Sequence, residues 1–158
     1  MSPGFADYFE GRQIGWRHGR SIWMTTKPLR YVCKALNAAL YIPEEFITDL
    51  ASVPRLPLTW YIAGGRAIRP ALPHDFAYQF GYFLLAGGGK LAVARDQADT
   101  VIHEACLADP ISGADDRITA GLIYSAVRVG GRGVWNERPA RTPTLNPEWS
   151  AAWGVESP

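Results

Sequence analysis

The chain has few cysteines and histidines and no excess of either charge. Its two cysteines among 158 residues, Cys33 and Cys106, show neither the Cys-x-x-Cys spacing of a metal or redox site nor a dense disulfide framework, so both read as buried free thiols. Sixteen Lys and Arg against fifteen Asp and Glu leave a formal charge of +1. Such a balance sets up no long-range field toward nucleic acid or an anionic membrane, and any partner must be recognised by local shape and chemistry. No run approaches the ~20 apolar residues of a membrane span. Residues 1–7 lack the basic region followed by an apolar one that opens a secretory leader. The expectation is a protein made and kept in the cytosol unless it leaves inside a particle.

What is present is a 47% hydrophobic, 12% aromatic chain, long enough for one domain with a modest core and too short for two. Residues 1–20 show no period and read as an N-terminal arm. Phe5, Tyr8, Phe9, Ile14 and Trp16 are many apolar anchors for a solvated arm, which suggests docking on a neighbouring subunit. From Ser21 to Thr48 short runs rich in β-branched and aromatic residues alternate with breaks at Lys27-Pro28, Asn37 and Pro43-Glu44-Glu45. They predict a small antiparallel sheet. At its exit Asp49 and Ser52 can cap a turn through nearby backbone N–H groups. A buried Asp49 would need a cation, and Arg55 and Arg69 are the candidates.

Pro70 and Pro73 place a helix start near residue 70, because each lacks an N–H and is tolerated within a first turn. On that helix His74 and Tyr78 share a face at i, i+4, and Asp75 lies three residues before Tyr78. A nearby helix N-terminus would favour ionised Asp75 and neutral His74. Gly81 ends the helix. Residues 82–90 lack phosphate-loop spacing and read as a flexible connection. Residues 93–108 carry Ala94, Ala98, Val101, Ile102, Ala105 and Cys106 at helical spacing, with Asp99 at the flank of the stripe. A third helix runs from Asp115 or Asp116 to about Val129, with Ile118, Leu122, Ile123, Ala126 and Val129 expected inward. Residues 131–158, with Trp135, Trp149, Trp153 and four prolines, read as an extended C-terminal arm. The predicted class is α+β: a small N-terminal antiparallel sheet followed by a three-helix core over residues 21–130, flanked by two arms that bury their aromatics on other chains.

The succession Ile42-Pro43-x-x-Phe46-x-Thr48-Asp49-Leu50-Ala51-Ser52-Val53-Pro54, His74-Asp75-x-x-Tyr78, Arg95-x-x-Ala98-Asp99-x-x-Ile102-x-x-Ala105 and Tyr124-x-Ala126-Val127-Arg128-x-x-Gly131 resembles a domain-of-unknown-function family common in tailed bacteriophages and prophages. The resemblance spans about residues 22–132. It implies a virion protein of the neck, tail or baseplate, with other virion proteins as partners, several copies in an assembly and no nucleic acid.

A second resemblance concerns chemistry. A His-Asp-x-x-Tyr helix with an aspartate on a packed second helix is similar to the phospholipase A2 core. Carried over, the resemblance makes His74 the base, Asp99 its orienting carboxylate, Tyr78 a partner of Asp99 and Asp75 a calcium ligand. The disulfides of that class are absent and its calcium loop is not recognisable here. Metal phosphohydrolases of the HD type also use a His-Asp pair but need an earlier helical histidine, and only His18 precedes His74. Two expectations follow. In one, a virion structural protein is held together by a buried His-Asp-Tyr-Asp network, with Asp49, Ser52, Arg69 and Arg95 in structural roles and no cofactor. In the other, a phospholipase A2-like or metal-assisted hydrolase uses the same residues, with calcium the implied metal.

Overall fold

A computed structural model of the chain describes residues 2–17, 20–50 and 67–137. Among the described residues, eight strands come first or are interleaved with three helices: β1 (Gly4–Phe5), β2 (Gly11–Arg17), β3 (Arg20–Thr25), β4 (Leu29–Cys33), β5 (Ala38–Ile42), β6 (Ile47–Thr48), α1 (Ile68–Phe80), β7 (Tyr82–Leu85), β8 (Lys90–Ala92), α2 (Arg95–Leu107) and α3 (Arg117–Glu137). The class is α+β. The strands form two antiparallel sheets, one in the order β1-β4-β5-β7-β8 and one in the order β2-β3-β6.

Alternation along the strands decides which face meets the helices. Leu29, Tyr31 and Cys33 of β4 point inward, as do Leu40 and Ile42 of β5. The intervening turn closes at Asn37, whose φ of 49° suits an asparagine. The helices cover this face. Ala77 and Tyr78 of α1 join Ala98, Val101 and Ala105 of α2 over Tyr31, Leu40 and Phe83, while Leu72 and Phe76 fill the space beside Leu29, Ile42 and Phe46. Helix α3 lies on the far side of α2, with Ala120, Ile123, Ala126 and Val127 against Ile102 and Cys106. Helix α1 is therefore enclosed, and Pro70 to Gln79 is buried without interruption.

Several expectations are corrected. The arm expected over residues 1–20 contributes strands: β1 pairs with β4 and β2 pairs with β3. Three of its anchors pack within the chain, Phe5 stacked 4.7 Å from Tyr31 and Phe9 and Ile14 against the core, whereas Tyr8 and Trp16 stay exposed. Short pairings of this kind leave no period to read. The flexible connection expected at residues 82–90 is the β7–β8 hairpin, turning at Gly88 and Gly89 with φ near 93° and 92°, values that glycine adopts without strain.

Pro73 sits one turn deeper in α1 than a first-turn position, so only Pro70 has the expected place. Gly81 does end the helix, in the left-handed conformation with its N–H on the Ala77 carbonyl. Helix α3 continues through Gly130-Gly131 to Glu137 and takes in the start of the expected C-terminal arm. Trp149, Trp153, Ser52, Arg55 and His18 lie outside the described residues.

Candidate functional site

The ends of α1 and α2 fix their relative direction. Gly81, just past α1, accepts the Val93 N–H just before α2, and Ala67, just before α1, touches Ile102 and Cys106 near the end of α2. The two helices are antiparallel, which carries Asp99 to the second and third turns of α1. Three groups then converge on the Asp99 carboxylate, itself fully buried. Tyr78 donates its hydroxyl to Oδ1 at 2.6 Å, His74 Nε2 lies 3.3 Å from the same oxygen, and Arg128 of α3 donates to Oδ2 at 2.9 Å. The His74 and Tyr78 rings stack at 4.1 Å. Arg95 stands 3.7 Å from Oδ2 and bonds the Arg128 carbonyl at 2.9 Å, so one arginine holds the backbone of the other.

Asp75 points to the opposite side. Thr48 of β6 donates its hydroxyl to Asp75 Oδ2 at 2.6 Å, and Thr48 Oγ1 accepts the Leu50 N–H. Gln79 adds a second tie by donating to the Ile47 carbonyl at 3.0 Å. His74 Nδ1 faces Asp75 Oδ1 at 3.6 Å, beyond hydrogen-bond length, and finds no hydrogen-bond partner among the described residues although it is buried. The chain thus places one imidazole between two carboxylates at 1% exposure.

The charges follow from this placement. Burial pulls the His74 pKa down, but the close carboxylate of Asp75 and the contact and attraction from Asp99 outweigh it, and the imidazole is held above its ordinary range. Asp75 is raised, chiefly by burial and further by the nearby Asp49 charge. Asp99 is also penalised by burial, yet its bonds from His74, Tyr78 and Arg128 bring it below the ordinary carboxylate range. The expectation that a helix N-terminus disfavours protonated His74 is corrected: the residue lies in the second turn of α1, where the pull of two carboxylates outweighs the helix dipole, which fades within the first turn.

Asp49 is half-buried at the exit of β6. Arg69 does not serve it. Its guanidinium grips Asp109, with Nε 3.0 Å from Oδ2 and a second, shorter contact from Nη2 to Oδ1. Beside that pair a shallow cavity of about 170 Å³ is lined by Tyr8, Phe9, Ile68, Ile111 and Ser112.

The phospholipase comparison implied calcium on Asp75. A calcium ion takes six to eight oxygen ligands. Asp75 already accepts from Thr48, and no group of three or more His, Cys, Asp or Glu side chains gathers as a metal site among the described residues. The described residues do not fit the ion.

Three contributors were not assigned roles from sequence. Thr48, Arg128 and Gly131 all fall inside motifs, but nothing in their spacing tells a polar side chain that reaches into the core from one that faces solvent. Gly131 is required by contact, since a Cβ there would collide with the Tyr78 hydroxyl. Trp135, one turn on, packs edge-on against Tyr78 at 5.1 Å. Asp109 reads as part of an Asp-Pro turn, which hides its role as a buried ion-pair partner.

A family model described as a protein of unknown function, DUF1353, matches residues 23–127. No curated protein and no solved structure matches the chain.

Proposed function

The chain belongs to the DUF1353 family, and from that premise we propose that it is a structural protein of a tailed-bacteriophage particle whose core is clamped by the His74, Asp75, Tyr78 and Asp99 network. The observation that carries this reading is closure. All four side chains are at most 2% exposed, and their bonds tie β6, α1, α2 and α3 together through Thr48, Tyr78, Asp99 and Arg128. A polar cluster enclosed in this way specifies one arrangement of elements, since breaking any member leaves a buried group unpaired. The motif resemblance supports the particle setting.

The test is purification of intact virions through a density gradient, followed by quantification of this chain in the particle band. A fixed stoichiometry to the major virion proteins is expected, and His74→Asn should lower stability or incorporation. Absence from the particle overturns the reading.

One observation favours a hydrolase instead. The imidazole is oriented through Nε2 by Asp99, leaving Nδ1 without a hydrogen bond. In its neutral form an imidazole held in this way would take a proton from water at Nδ1 as that water attacks an ester carbonyl, and would return the proton to the departing alkoxide. Esterase activity that His74→Asn abolishes while the circular dichroism spectrum stays unchanged would establish this reading over the first.

A further inference from the structure

Helix α3 carries apolar residues on two opposite sides. Ala120, Ile123, Ala126 and Val127 meet the core, while Ile118, Leu122 and Val129 are 77%, 54% and 78% exposed. These three, expected to face inward, instead line up with Ser125 and Arg132 at spacings of four, three, four and three residues. That alternation is the a/d repeat of a helix-pairing seam. It runs for about 21 Å at 1.5 Å per residue.

The glycines of α3 supply a second observation. Gly131 is needed beneath Tyr78, but a Cβ at Gly121 or Gly133 would meet nothing within 4 Å. Each weakens the helix relative to alanine, with no steric demand for it among the described residues. They lie on either side of the exposed seam, where small residues let a second helix approach closely.

Charge selects the occupant and its direction. Exposed Asp115 precedes the seam and exposed Arg132 ends it, and neither makes an ion pair among the described residues. An antiparallel copy centred on Ser125 sets Leu122 against Val129, lays the aliphatic stem of Arg132 over Ile118, and brings Asp115 of each copy toward Arg132 of the other. The helix dipoles oppose as well. A parallel copy would set Arg132 against Arg132.

We infer that α3 is a self-association surface, on which a second copy of this chain docks its own α3 antiparallel about a two-fold axis at Ser125. The inference does not depend on whether the buried network is structural or catalytic. The experiment uses the full chain. Sedimentation velocity over a roughly thousandfold concentration range should show monomer passing to dimer, and Leu122→Glu should weaken association at least about tenfold, a cost of about 1.4 kcal/mol or more, with an unchanged thermal midpoint at low concentration.

Under mild oxidation Ser125→Cys should crosslink as a dimer and Ile118→Cys should not. The native cysteines, both buried, should stay silent. Reversing the charges singly, Asp115→Arg or Arg132→Asp, should weaken the dimer, and the double variant should restore it. A chain that stays monomeric throughout, as it would if its own residues 138–158 covered the face, overturns the inference, as does crosslinking through Ile118→Cys.

Discussion

Asp99 and Asp109 are both completely buried, ten residues apart in sequence, and they are neutralised in opposite ways. Asp109 has one dedicated cation, Arg69, gripping both of its oxygens. Its carboxylate and carbonyl otherwise serve the local turn through Ile111 and Ser112. Asp99 is shared among an imidazole, a phenol and a guanidinium from two other helices. The first arrangement fastens one loop to one helix end. The second joins three helices, and through the His74-Asp75-Thr48 chain it also reaches a strand. A titratable imidazole at its centre makes the clamp sensitive to pH, where an arginine pair is not, because the guanidinium stays charged throughout.

The sharpest way to break the contrast is Arg69→Ala. It leaves Asp109 buried without its cation and should cost about 3 to 5 kcal/mol in denaturant unfolding. Because Asp99 lies elsewhere, the pH profile carried by His74 should survive in the variant. A loss below about 1 kcal/mol would mean that Asp109 is not held by one partner.

Tyr78→Phe should cost less, about 1.5 to 3 kcal/mol, since it removes one hydrogen bond to a charged group while His74 and Arg128 remain. A cost equal to that of Arg69→Ala would show that the sharing provides no redundancy.

The pH profile sharpens the comparison further. His74 is raised in the fold, so its stabilising contribution is complete below the ordinary imidazole value of 6.5 and is lost as pH rises through the higher folded value. The limiting slope is about 1.4 kcal/mol per pH unit for one proton. Asp75, also raised, has the same sign from its ordinary value of 3.8 upward, whereas lowered Asp99 is lost in the other direction, as pH falls below 3.8. Chemical unfolding at intervals from pH 5 to 9 should show stability declining above about 6.5 in the native chain, with a flatter curve in His74→Asn. A stability that rises over that range would contradict the assignment.

How far the sequence could be read depended on whether each segment has one environment or two. Helix α2 meets core on one side and solvent on the other, and its stripe from Ala98 to Cys106 is visible as a period. Helix α1 is buried all round and has no stripe, so its place came from Pro70, Gly81 and the polar residues. Helix α3 has apolar residues on opposite faces, and periodicity alone could not tell which face the core takes. Its Gly130-Gly131 pair looked like a terminus because the reason for Gly131, the hydroxyl of Tyr78, comes from another helix. Strands β1 and β2 went unread because an antiparallel partner, not local sequence, defines them. His74, Tyr78 and Asp99 were legible together because helical spacing and one antiparallel return suffice to assemble them. The Arg69 partner was not, since any of several acids could have served.

The strand order has a consequence for the newly made chain. The β2–β3 and β4–β5 hairpins are local and can close as soon as each is synthesised, but β5 waits for β7, whose Leu84 and Leu85 pair with Tyr41 and Leu40. Until then one edge of β5 stands open, with unpaired backbone groups. An open edge of this kind templates strands from neighbouring chains. Closing the long loop between β5 and β7 also sets a late and slow step, because non-local pairing bears its entropy before its contacts form. The hairpin that looked like a loose connection is therefore the piece whose arrival ends the exposure, and weakening its Gly88-Gly89 turn should lower the yield of soluble protein more than it lowers the stability of the finished fold.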